Sequence, residues 1–337
     1  MDGRALSMSL ISSLRTLKRC SWPVRLAQTG VVLAAAGGLS ACVTLDVPED
    51  AFFWPDDRVA AEQLILPADP PPGDAEVVVL RYAAGGIGAT RVRAGAANTP
   101  LILYCGGNTF RRSAGGGAAA RKLSPLGDVL MFDYPGYGDT VGTADIAHFR
   151  AVTEVMARQA RALADAESRP LIAWGHSLGG SVCAEAAQGA RADVLVLETT
   201  TPSAWAMIHS HLGLMRLFVR PLIAPALASM EIPSSLAGYR GRVLVLEAGR
   251  DEMLAPGLSR MLEEGLSARG VDVERLVFPN ARHADMGEQA DFASRIAAAI
   301  LVRAADAPAA RSRAPVRHGS EAPPTPAHWP MPVASPT

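Results

Sequence analysis

The chain has no excess of charge of either sign. Its 32 lysines and arginines face 33 aspartates and glutamates, interspersed along 337 residues for a formal net charge of -1. Without a basic surplus there is no footprint for a nucleic acid backbone, and aromatics at 5% give little to build a base-stacking surface. Cysteine is scarce too, limited to Cys20, Cys42, Cys105 and Cys183. None stands in a C-x-x-C pair and no His/Cys cluster has zinc spacing, so a structural metal is disfavoured and no cofactor is implied. Cys105 and Cys183 lie inside apolar segments as small hydrophobes; the sequence leaves open whether they bridge. What is abundant is core: at 49% hydrophobic residues the chain can fill one large α/β domain with tails.

The N-terminus places Arg15, Lys18, Arg19 and Arg25 ahead of the small and apolar run Thr29–Cys42. That order reads as a secretory signal, too short to span a bilayer comfortably. Its end, Leu39-Ser40-Ala41-Cys42, resembles the bacterial lipobox, in which the cysteine is diacylated and becomes the mature N-terminus. The resemblance implies a lipoprotein facing the periplasm, and Val43 after the cysteine favours the outer membrane. Residues 1–41 are then the signal peptide and Cys42 the membrane anchor. Residues 42–75 carry Pro48, Pro55, Pro67 and Pro70-Pro71-Pro72 and are expected to be a tether. Within it Ala51-Phe52-Phe53-Trp54 is apolar enough to pack on the domain or touch the membrane. Residues 304–337, rich in Ala, Pro, Ser and Arg, are expected to be disordered.

Between the tails, strand and helix signals alternate. Glu76–Tyr82 and Thr90–Ala94 read as an early antiparallel pair. Leu101–Cys105, Val129–Tyr134, Leu171–Trp174, Val194–Glu198, Val243–Glu247 and Arg275–Phe278 are near-continuous apolar runs. Helical signals fall between them at Arg111–Leu123, Asp145–Ala166, Ser181–Ala187 and Pro256–Ala268, with a last helix from about Glu288 to Arg303. Apolar strands separated by helices require a mostly parallel sheet covered on both faces.

Chemistry concentrates where one strand meets a helix. Leu171–Trp174 runs into Gly175-His176-Ser177-Leu178-Gly179, and a helix former follows. A serine pinned in that turn, with glycine two positions to either side, matches a nucleophile elbow. The elbow exposes the hydroxyl and leaves the next backbone N–H, that of Leu178, free for an oxyanion. A serine needs a base and a carboxylate to orient it. Asp251 lies just past one strand end and His283 just past the last, so Ser, Asp, His follow in order, all at the carboxyl edge of the sheet. Glu198, Glu247 and Glu252 are the alternative acids. Among the histidines, His176 suits packing beside the serine, His209 and His211 lie in a variable insert, and His318 and His328 lie in the tail. The second oxyanion donor is expected in Cys105-Gly106-Gly107-Asn108, as the backbone N–H of Asn108.

With these residues the stretch 76–303 resembles the α/β-hydrolase superfamily, most of all its serine aminopeptidase-like and membrane-associated serine hydrolase branch. The resemblance rests on Leu103–Asn108, on Asp133-Tyr134-Pro135-Gly136-Tyr137-Gly138, on the elbow, and on Gly249–Glu252 with His283-Ala284-Asp285. It implies the α/β-hydrolase fold, a Ser177–Asp251–His283 triad and a serine hydrolase acting on an ester, thioester or amide. Gly106 stands where that branch has His, and Pro135 where it has Arg. Residues 202–238 occupy the place of a cap and are strongly apolar, which suggests an acyl or other hydrophobic substrate group. A catalytically silent lipoprotein and an acyltransferase using the same triad are the competing readings. The substrate and the oligomeric state are not legible.

Overall fold

The computed structural model describes residues 43–94 and 99–301; the expected signal peptide, Cys42 and the expected tail 304–337 lie outside the described residues. The chain opens with β1 (Val43–Val47) and α1 (Asp56–Ala61), then β2 (Glu76–Tyr82) and β3 (Gly85–Val92). Strand and helix next alternate through β4 (Leu101–Cys105), α2 (Arg112–Leu123), β5 (Asp128–Phe132), α3 (Ile146–Ala166), β6 (Leu171–His176), α4 (Gly179–Ala190) and β7 (Val194–Glu198). An insert carries α5 (Ala204–Leu212), a 3-10 turn (Gly213–Leu217), β8 (Val219–Ile223), α6 (Pro225–Ala228) and α7 (Ile232–Ser235). The body resumes with β9 (Arg242–Ala248), α8 (Gly257–Ser267), β10 (Val273–Phe278) and α9 (Phe292–Leu301).

Eight strands form one sheet in the order β10-β9-β7-β6-β4-β5-β3-β2. β3 runs antiparallel to β2 and β5, and the remaining pairings are parallel. The central strands are apolar along their whole length because both faces are covered. In β4, Leu101, Leu103 and Cys105 face one core with Phe149, Val152 and Met156 of α3 and Val182 of α4. Ile102 and Tyr104 face the other, with Leu123 of α2 and Phe292 and Ile296 of α9. Helix α3 is amphipathic as its spacing requires, and Asp145 caps it by accepting from the His148 N–H at 2.9 Å. β4 sits between β5 and β6, so the chain reverses its winding there, and the loops after β4 and β6 open side by side.

One expectation needs correction. The stretch expected as a tether is bound to the body along much of its length. β1 pairs in parallel with β8, from Val43 opposite Val219 to Val47 opposite Ile223. Phe53 is fully buried and stacks on Phe149 with ring centroids 4.5 Å apart. Glu49 accepts from the Ile146 N–H at 2.6 Å, and Arg111 donates to the Trp54 carbonyl at 2.5 Å and to Asp56 at 2.7 Å. Proline content reports missing backbone donors, whereas burial of the Phe53 ring contributes on the order of 2 kcal/mol and favours the bound arrangement. The final helix starts at Phe292, later than expected, because a 3-10 turn at Met286–Glu288 precedes it.

Candidate active site

Ser177 follows β6 directly, and its backbone has φ +54, in the left-handed region that a non-glycine residue enters only under constraint. The constraint is visible. The Ser177 N–H donates to the Glu198 carbonyl at 2.9 Å, and its own carbonyl accepts from Gly180 N–H at 3.0 Å and from the Thr200 hydroxyl at 2.7 Å. α4 starts two residues later and lies against β4 so closely that a Cβ on Gly179 would collide with the carbonyl oxygens of Cys105 and Gly106. The structure also bridges Cys105 to Cys183, across 78 residues of sequence, with Cα atoms 5.8 Å apart. The loop after β4 is thereby fastened to the second turn of α4.

That loop lies beside the elbow, since a Cβ built on Gly107 would be 3.6 Å from Ser177 Cβ. The Gly106 carbonyl accepts from the buried Tyr134 hydroxyl at 2.7 Å. A side chain at position 106 would fall on the Phe110 ring, which fills the space that a histidine there would need. The Asn108 side chain donates to the Phe52 carbonyl at 3.4 Å, tying the loop to the N-terminal segment. The Asp133–Gly138 loop is a support: Asp133 accepts from the Arg112 and Asp139 N–H groups, and the Tyr137 hydroxyl accepts from the Trp54 N–H at 2.5 Å.

Asp251 and His283 meet directly. His283 Nδ1 is 2.9 Å and 3.0 Å from the two oxygens of Asp251, both side chains are buried, and Nε2 is left as the ring position open to a serine. Asp251 also accepts from the backbone N–H groups of Met253 and Leu254, each at 2.8 Å, which fixes its rotamer. None of the alternative acids bonds the His283 ring. Glu198 holds Lys122 at 2.7 Å and the Trp174 indole N–H at 2.7 Å, Glu247 pairs with Arg275 at 2.8 Å, and Glu252 accepts from the His283 backbone N–H at 3.5 Å and faces Arg282.

His176 couples the elbow to the base. Its Nε2 lies 3.1 Å from the His283 carbonyl, which also accepts from the Thr199 hydroxyl at 3.3 Å. Burial holds the His176 imidazole down at about 4, so it is neutral near pH 7 and donates through Nε2. Burial works against the charge of Glu198, yet the Lys122 ammonium and the neighbouring donors hold that carboxyl below its ordinary value. Sequence reasoning placed His176 as packing and left this backbone contact undetected, because nothing in a single histidine announces a bond to a carbonyl 107 residues away.

In the insert expected as a cap, α5 packs Ala206 and Met207 on Leu254 and Leu258, just beyond Asp251 in sequence. Ala204, Ile208 and Leu227 form a small core with Val47 of β1. No group of three or more potential metal ligands occurs among the described residues.

A mostly parallel sheet of this order, with an elbow serine and an aspartate–histidine pair on the loops at its carboxyl edge, defines the α/β-hydrolase fold. Residues 112–335, well over half of the chain, match the model of the alpha/beta hydrolase family, and the chain belongs to that family. Among solved structures it is similar to an esterase of Pyrococcus furiosus, at 14% identity over 71% of this chain and 99% of that one, TM-score 0.52. It is similar also to an esterase of Rhizomucor miehei, at 18% identity over 74% and 90% of the two chains, TM-score 0.51. Esterase 2 of Thermogutta terrifontis, phosphoramylated by tabun, matches at 15% identity over 70% and 96%, TM-score 0.51. At these identities the likeness is one of fold. No curated protein matches the chain.

Proposed function

We propose that this protein is a serine hydrolase that cleaves an ester, thioester or amide bond through Ser177, His283 and Asp251. The observation that carries the reading is the bonded Asp251–His283 pair beside an elbow serine held at φ +54. In this mechanism His283 Nε2 takes the Ser177 proton as Oγ attacks the substrate carbonyl, and Asp251 holds the ring with Nδ1–H toward itself. The backbone N–H groups of Leu178 and Asn108 bind the oxyanion, aided by the N-terminus of α4. His283 then returns the proton to the leaving group, and water, deprotonated by the same imidazole, releases the acyl group from Ser177. The apolar cap and the esterases that share the fold favour an ester carrying a hydrophobic acyl group.

We place the protein on the periplasmic side of a bacterial envelope, anchored through lipid on Cys42. The lipobox-like sequence supports this, and so does the Cys105–Cys183 bridge, since disulfides persist in oxidising compartments.

Ser177→Ala is expected to abolish both p-nitrophenyl ester turnover and fluorophosphonate labelling, with an acyl-chain-length series on the wild type identifying the preferred group. Labelling that survives in that variant removes Ser177 as nucleophile. Cys42→Ala is expected to move the protein out of the membrane fraction; unchanged fractionation rules out the anchor.

A further inference from the structure

The cap carries a surface that its packing leaves unused. Its 3-10 turn exposes Leu214 at 81% and Leu217 at 68%, and Phe218 just after the turn is 56% exposed, with Met215 and, on β8, Leu222 exposed as well. Five large apolar side chains within nine residues form a concentrated patch, unlike the single exposed hydrophobics that any surface carries. None of them belongs to the small core that fastens the cap to the body.

The patch also has a charge pattern. Arg216 stands between Met215 and Leu217, and Arg220 lies on the outward face of the β1–β8 ribbon. Both are exposed, and neither is in an ion pair with a carboxylate among the described residues. One carboxylate, Asp46, lies on the same ribbon face, opposite Leu222. Finally, the patch adjoins Val43, the first of the described residues. The Val43 N–H donates to the Phe218 carbonyl at 2.8 Å, and Val43 is itself 60% exposed. Cys42 is joined to Val43 by one peptide bond.

From these three features we infer that the outer face of the cap, Leu214 to Leu222, is a membrane-docking surface for an anionic lipid bilayer. The apolar side chains enter the boundary between headgroups and acyl chains, and Arg216 and Arg220 meet the anionic headgroups. Docking there sets the cap, and with it the approach to Ser177, toward the lipid. The inference shares with the proposed function the placement of Cys42 at the membrane, but the patch has its own affinity for the bilayer.

Hydrogen exchange read by mass spectrometry on the full chain, free and mixed with phosphatidylethanolamine–phosphatidylglycerol vesicles, tests it. Amides of 213–222 are expected to exchange about tenfold more slowly on the vesicles, because water is excluded from the turn. The slowing should shrink on phosphatidylcholine vesicles and in Arg216→Ser/Arg220→Ser. It should vanish in Leu217→Glu/Phe218→Glu, surface changes that leave the fold intact. Equal exchange on and off vesicles overturns the proposal, as does failure to associate with either vesicle. Slowing at β2, whose Val77 and Val79 are also exposed, instead of at the turn overturns it too. Slowing that grows with protein concentration in the absence of lipid assigns the patch to a second copy and likewise overturns it. The mass of the N-terminal peptide in the same samples reads lipid on Cys42, so loss of the anchor and loss of cap docking are separate results. Fluorophosphonate labelling of the same material reads Ser177 independently.

Discussion

At Ser177 a left-handed backbone costs about 1–2 kcal/mol, offset by the bonds it accepts from Gly180 and Thr200 and the one it donates to the Glu198 carbonyl. The same geometry leaves no room at Gly179. Gly179→Ala drives a Cβ into the backbone of Cys105 and Gly106, and a loss of about 3 kcal/mol is expected in urea unfolding. Gly189, in the same helix with open space around it, is the control, and Gly189→Ala should stabilise by about 0.5–1 kcal/mol. Equal effects at the two positions would contradict the packing described. At Asp251, substitution by Asn keeps the shape and loses the charge that selects the imidazole tautomer. Steady-state kinetics of Asp251→Asn should show kcat reduced by about ten-thousandfold with little change in the unfolding midpoint.

At the scale of elements, two long-range fastenings support the candidate site. The Cys105–Cys183 bridge closes a loop of 78 residues between β4 and α4. Cys105→Ala/Cys183→Ala is expected to lower stability by about 2–5 kcal/mol, read by urea unfolding against the oxidised wild type. The second fastening is the segment from Glu49 to Asp56, which holds α3, Tyr137, Asn108 and Arg111 at once. Phe53→Ala empties a site buried against Phe149 and should cost about 3–5 kcal/mol. The elements themselves were legible. β2, β4, β7 and α3 fall where the early strand pair, the apolar runs and the helical spacing of 145–166 predict them, because those signals are local. In 43–61 only the apolar stretch Ala51–Trp54 hinted at packing on the domain; the proline spacing around it looks alike in a free linker and in one held by partners a hundred residues away.

Over the whole molecule, buried ionisable groups give stability a pH dependence. His176 sits at about 4 when folded and near its ordinary value when unfolded, so the unfolded chain binds more protons between those values. Stability therefore falls as pH drops from about 6.5 to about 4, by up to about 3 kcal/mol from this residue. The carboxyl of Glu198, lowered when folded, adds to acid lability as pH falls through the usual carboxylate range, whereas burial raises Asp133 and opposes it. His176→Gln keeps a donor toward the His283 carbonyl and should flatten the profile between pH 4 and 6.5. An unchanged slope would mean that His176 does not titrate there.

The sequence by itself determined the alternation of strand and helix, the elbow, and the order Ser177, Asp251, His283, because each depends on neighbours within a few residues. Tertiary structure alone decided that Asp251 rather than Glu198 faces His283, that Cys105 meets Cys183, and that Val43 joins the cap. Those outcomes depend on which strand ends lie side by side in the sheet. Strand order is set by packing among distant segments, and that leaves no period in the sequence to read.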